Sequence, residues 1–100
     1  MTPYRVRFTR GARDDLLRLT AYWRDKDIAT ARRARAAIEK ALAMLRDFPF
    51  SCRKVDEDQA FLRELLIPFG AAGYVALFEI DEANTVTVLA IRHQLEDDYH

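Results

Sequence analysis

This chain of 100 residues has few means of bending, cross-linking or crossing a bilayer. Glycine and proline number three each, which excludes a collagen-like or linker-dominated polypeptide. Cys52 stands alone, so there is no internal disulfide, and no nearby Cys or His completes a zinc set. Ser51 is the lone serine and has no histidine near it in sequence, which argues against a hydrolase triad. The longest apolar stretches are Leu65 to Ala72, interrupted by Pro68 and Gly70, and Tyr74 to Phe78. Both fall far short of the roughly 20 residues a membrane span requires. No apolar signal core follows the opening Met1-Thr2-Pro3-Tyr4-Arg5, so the expected compartment is the cytoplasm, with no membrane partner. Phosphate loops, dinucleotide fingerprints and metal-ligand pairs are missing, and neither metal nor cofactor is expected. Asp56-Glu57-Asp58 lacks the glycine and spacing of a calcium loop and reads as a solvated turn.

What is present describes one soluble globular domain over residues 1–100, with 50% apolar and 32% charged residues. The zero net charge conceals a division. Residues 1–50 carry twelve Lys/Arg against six Asp/Glu, and residues 51–100 carry four against ten. Such asymmetry marks either a chain that meets charged partners or a basic helical layer offsetting an acidic sheet.

Tyr4 to Phe8 alternates with a period of two and predicts a short strand. Thr9 is placed to cap a helix, with Asp14 and Asp15 near its positive end, and Ala12, Leu16, Leu19 and Trp23 form one stripe. Asp27 is a second cap, ahead of a run through Ala31, Ala34, Ile38, Ala41, Leu42 and Leu45 that stops before Pro49. Residues 51–59 read as a polar turn. Strands are predicted over Phe61–Ile67, Tyr74–Ile80 and Thr85–Ile91, the last two joined by a hairpin turn at 81–84. The order is β-α-α-β-β-β, an α+β class with a helical hairpin packed on one face of a small antiparallel sheet.

Two helices cover one face only, yet both faces of the later strands carry apolar residues. Tyr74, Ala76, Phe78 and Ile80 oppose Val75 and Leu77, and Leu89 and Ile91 oppose Val86 and Val88. The expected consequence is an uncovered apolar surface suited to binding. Arg92 and His93 end the last strand, one projecting from each face, and Tyr99 follows. A histidine, an arginine and a tyrosine supply a base, a phosphate-binding cation and a stacking or proton-donating ring, the parts that RNA cleavage needs. Equally, Arg92 can pair with Glu96, Asp97 or Asp98, whose charge repels a phosphate backbone. Arg63 is open to two readings, a cation in the groove of the sheet or an ion pair with an acidic neighbour. Arg53 and Lys54 are further candidate phosphate contacts.

Taken together, Tyr4-Arg5-Val6-Arg7-Phe8-Thr9, Leu45-Arg46-Asp47-Phe48-Pro49, Phe61-Leu62-Arg63-Glu64-Leu65, Gly73-Tyr74-Val75-Ala76-Leu77-Phe78-Glu79-Ile80-Asp81 and Thr87-Val88-Leu89-Ala90-Ile91-Arg92-His93 resemble the RelE/ParE superfamily of toxins from type II toxin–antitoxin, or plasmid-stabilisation, modules. The resemblance covers nearly the whole chain. It implies a first strand beside the last and a hetero-oligomer with a cognate antitoxin that wraps the toxin, operator DNA being met only through that antitoxin. It adds Tyr74 to Arg63, Arg53 and Lys54 as binding residues and Arg92, His93 and Tyr99 as catalytic ones if the chain is a nuclease. RelE-like members cut ribosome-bound messenger RNA, whereas ParE-like members inhibit DNA gyrase by contact. The arginines that such nucleases carry around the Gly-Tyr pair are missing here, where Phe69-Gly70-Ala71-Ala72 precede it and Val75 follows. That departure favours the ParE-like reading over the nuclease; a degenerate, non-toxic member is the third.

Overall fold

A computed structural model describes residues 3–94. Strand β1 (Arg5–Phe8) leads into helix α1 (Arg10–Arg24) and helix α2 (Ile28–Ala43). Two 3₁₀ turns follow at Met44–Arg46 and Pro49–Ser51, then β2 (Arg53–Lys54), β3 (Leu62–Phe69), β4 (Ala72–Ile80) and β5 (Thr85–His93). The five strands form one sheet in the order β1-β5-β4-β3-β2. Adjacent strands from β2 to β5 run antiparallel, while β1 lies parallel to β5, so the sheet is mixed rather than wholly antiparallel. Parallel pairing of two elements so distant in sequence leaves no local trace in either. β2 falls inside the polar stretch 51–59 expected to be a turn; both of its residues are exposed and polar, so it lacks the half-buried alternation of a longer strand.

The caps fall where the sequence placed them. Thr9 Oγ1 accepts from the Ala12 N–H at 3.1 Å, and Asp27 accepts from the Ala29 N–H at 3.1 Å. Asp14 and Asp15, however, lie beyond the first turn of α1, which holds no acidic residue. Asp15 instead accepts from the Ile91 N–H at 2.9 Å, and the Thr9 hydroxyl donates to the Leu89 carbonyl at 3.2 Å. Both contacts meet a β-bulge. Leu77 pairs with Ala90 but Phe78 pairs with Val88, leaving Leu89 as the extra residue. Side chains of α1 thus satisfy backbone groups that the disrupted ladder releases. The bulge also changes the facing: Val86, Val88 and Ile91 all enter the core, so Ile91 belongs with the valines rather than with Leu89.

The helices bury Ala12, Leu19, Ala34, Ile38 and Leu42 against Leu65, Ile67, Tyr74, Ala76, Phe78 and Ile80. Ala12 and Ala34 are fully buried, where small side chains bring helix backbone close to the sheet. On the opposite face the picture is narrower than strand alternation suggested. Val75 and Ala90 are buried and Leu77 half-buried, and Glu64, Glu79, Thr87 and Arg92 share that face by register. Leu66, at 47%, is its openly exposed large apolar side chain among the described residues. Greater apolar exposure occurs around the second 3₁₀ turn and the start of β3, at Phe48, Phe50 and Phe61. No helix among the described residues is long and apolar enough to cross a membrane.

Candidate functional site

The end of the hairpin where α1 gives way to α2 stands over the β3–β4 turn and the end of β5. Two glycines shape that turn. Gly70 adopts φ +62°, and Gly73 adopts φ +123° with its Cα facing the Ile67 carbonyl so closely that a Cβ would sit 2.3 Å from the oxygen. The tight reversal sets Phe69 and Tyr74 side by side, their rings stacked with centroids 6.0 Å apart. Trp23 descends from α1 onto this pair, edge-on to Phe69 at 6.4 Å, and its Nε1–H donates to the Tyr74 hydroxyl at 3.2 Å. His93 closes on the other edge of Tyr74 at 5.7 Å, and Tyr22 meets Trp23 at 5.1 Å. Between helices and turn lies an open cleft of about 800 Å³, lined by these aromatic rings, Leu19 and Thr30, with Arg18 and Arg33 adding positive charge. Lys26 lies 4.9 Å above the exposed Tyr22 ring.

Of the sequence-selected residues, the structure brings Tyr74 and His93 together in this cleft. It does not bring Arg92 there. Arg92 pairs with Val75 and His93 with Tyr74, so the two neighbours leave opposite faces, as strand alternation requires. Arg92 Nη1 donates to the His93 carbonyl at 3.3 Å. Tyr99 lies outside the described residues, as do Glu96, Asp97 and Asp98.

Arg63, Arg53 and Lys54 sit at the far end of β3 from the cleft. Among the described residues, Arg63 bonds to backbone rather than to an acidic side chain. Its Nε donates to the Ala60 carbonyl at 2.8 Å, and Nη1 donates to the carbonyls of Phe50 at 3.0 Å and Cys52 at 2.7 Å. Its guanidinium also lies 5.2 Å over the Phe50 ring. Arg63 is a bracket for the loop that carries the second 3₁₀ turn, because backbone carbonyls there have no ladder partner of their own. The ion pair is made by Arg53 instead, whose Nε meets Glu64 at 2.9 Å. Lys54 is exposed, opposite Arg63 in register. Burial pushes the Cys52 thiol up from its ordinary value, the nearby Arg63 charge partly opposing this. No three His, Cys, Asp or Glu side chains gather as a metal-ligating group among the described residues.

Sequence reasoning missed Arg18, Tyr22 and Arg33. The arginines look like any solvated helix residue, and they meet only because the hairpin folds back. Tyr22 carried a faint signal, a large aromatic next to Trp23 but off the buried stripe.

The sequence matches the family described as ParE toxin of type II toxin-antitoxin system, parDE, over residues 6–98. A search of curated protein sequences finds no significant match. Among solved structures, the chain is similar to one in the RelBE2 toxin–antitoxin complex from Mycobacterium tuberculosis, with 25% identity and a TM-score of 0.64 over 96% of this chain and 97% of that one. It is also similar in fold to a chain of the chromosomal ParDE toxin–antitoxin system from P. aeruginosa, with 16% identity and a TM-score of 0.74 over 93% of this chain and 98% of that one. A match spanning nearly every residue, on a fold shared with both structures, makes the chain a member of the ParE toxin family of type II toxin–antitoxin systems.

Proposed function

We propose that this toxin acts by binding an essential protein target of the gyrase class and is neutralised by a cognate antitoxin, without cutting RNA. The observation that carries the reading is how the cations selected from the sequence are used; of the two arginines that do line the His93 cleft, Arg33 bonds to Thr30 and Arg18 lies 3.8 Å from Asp15. Phosphoryl chemistry needs positive groups preorganised around a pentacoordinate phosphorus, on the same side as the base. Here the Arg63 guanidinium is engaged by three backbone carbonyls and Arg53 by Glu64. Arg92 leaves the sheet on the face opposite His93. The turn before Tyr74 offers Phe69-Gly70-Ala71-Ala72, with no cation, where the RNA-cleaving reading wants arginine. The antitoxin half of the proposal draws on the two similar structures, both from toxin–antitoxin systems.

The test uses the purified chain in two assays, one with gyrase and supercoiled DNA, the other with translating ribosomes. Gyrase-linked DNA breaks with messenger RNA intact is the expected result. Codon-positioned cuts in the messenger that vanish in His93→Ala would overturn it.

A further inference from the structure

We infer that the open edge of the sheet at β2, with the phenylalanines beside it, is a contact for a second copy of this chain, the two related by a two-fold axis at Val55. The edge carries its own complement in sequence. Arg53 and Lys54 precede Val55, and Asp56 and Glu57 follow it, so the signs invert about the valine. β2 ends the strand order, and the side chains from Arg53 to Glu57 are all exposed. The Val55 N–H turns inward and donates to the Leu62 carbonyl at 3.2 Å, so by alternation Lys54 offers its N–H and C=O at the open edge. A second copy laid antiparallel there, valine opposite valine, sets each Lys54 against the partner's Asp56. Asp56 accepts the Asp58 N–H on one carboxylate oxygen at 2.9 Å and keeps the other for that lysine. The same register brings Arg53, already held by Glu64, towards the partner's Glu57.

The apolar part of the contact lies alongside. Phe48 and Phe61 are 61% and 55% exposed, and Phe50 packs edge to face on Phe61 at 5.8 Å. Phe61 immediately precedes Leu62, the residue bonded to Val55, so the rings flank the axis. Exposed aromatic groups of this size gather where a partner covers them. The charges say which partner. A lysine on a short edge strand ordinarily blocks pairing with another chain. Here it meets an aspartate when the other chain is a copy, so the block becomes a selection, made twice across the axis. A partner of one sign satisfies half of the edge and is repelled by the other half. The edge sits at the end of β3 remote from the His93 cleft, so two copies joined here keep both clefts open.

Sedimentation equilibrium of the full chain tests this. The expected result is a reversible monomer–dimer equilibrium at roughly 10–100 μM, as suits a small interface. Lys54→Glu and Asp56→Lys each set like charges against one another across the axis, and each is expected to weaken association about tenfold or more. Mixed in equal amounts, the two variants place opposite charges at both contacts and should regain the parent's affinity. The Asp56 bond to the Asp58 N–H is lost in Asp56→Lys alone and in the mixture alike, so its loss cannot produce that recovery. The double variant F48S/F61S, at two exposed positions, should weaken association by a similar factor. Arg32→Glu makes the same charge change as Lys54→Glu on the exposed face of α2 and should associate as the parent does. Circular dichroism establishes that each variant folds. A parent chain that stays monomeric up to about 500 μM would overturn the proposal. So would undiminished association of either charge variant or of F48S/F61S, equal weakening in Arg32→Glu, or a mixture no tighter than its components. Open-ended assembly in place of a dimer would overturn the two-fold axis, and the proposal with it.

Discussion

Gly73 holds the site together from below, since its φ of +123° lets the chain turn from Phe69 back into Tyr74. A methyl group there would meet the Ile67 carbonyl at 2.3 Å, and backbone on both sides leaves no flexible end to yield. Gly73→Ala is therefore expected to cost about 3 kcal/mol or more, read from the shift of the urea midpoint. Gly70 makes a contrasting control. Nothing lies within 4 Å of a Cβ built on it, so Gly70→Ala meets only the strain of its φ of +62°. Asp27 offers a residue-scale effect tied to pH. A hydrogen bond from the Thr30 hydroxyl, joined by the Ala29 N–H, holds its carboxyl below the usual carboxylate range. A group whose folded pKa is depressed stabilises above its ordinary pKa, and loses that contribution as pH falls through the folded one. Asp27→Ala should thus be less stable than the parent at neutral pH, and the gap should close as the medium becomes more acid than an ordinary carboxylate. A gap that persists unchanged into strong acid would show that the cap bonds do not depend on its charge.

At the scale of elements, α1 is fastened to the sheet at three points: Thr9 and Asp15 on the bulge of β5, and Trp23 on Tyr74. Trp23 is half-buried, so Trp23→Ala should cost about 3 kcal/mol, the low end for an aromatic truncation in a core. Trp23→Phe keeps a ring against Phe69 but forfeits the bond to Tyr74, an expected loss of about 1 kcal/mol. Chemical denaturation of the two variants measures both, and a loss under about 1 kcal/mol in Trp23→Ala would place the indole outside the packed core. The helices and their caps were legible in the sequence because a cap and a stripe are local signals; Thr9 with Ala12, and Asp27 with Ala29, lie within three residues of one another. Features created by pairing were not. The bulge at Leu89, the parallel ladder of β1 and the two-residue β2 each depend on a partner strand rather than on their own composition. The site divides along the same line. Tyr74 and His93 stood out within their strands, while Arg18 and Arg33, fifteen residues apart on different helices, acquire meaning only when the hairpin closes over the turn.

At the scale of the molecule, the basic half of the sequence forms β1 and the helical hairpin, and the acidic half contributes β2 to β5, so the division nearly follows the helical and sheet layers, β1 being the basic strand of the sheet. Apolar exposure follows neither layer. Large exposed apolar side chains occur at the cleft (Tyr22) and around Phe48, Phe50 and Phe61, near opposite ends of β3, as well as on the helices at Leu17 and Ile28 and on the outer face of the sheet at Leu66. A partner that covers either end removes apolar surface from water, and by mass action it stabilises the folded chain that it binds. At a free concentration one hundred times its dissociation constant, such a partner adds about 2.7 kcal/mol. In a domain of this length each kcal/mol moves the melting temperature by about 4–8 °C, so the expected rise is on the order of ten degrees or more. Calorimetry of the chain with and without its cognate antitoxin measures this. A parent chain whose melting temperature does not move at saturating partner would mean that the folded toxin is not what the partner recognises.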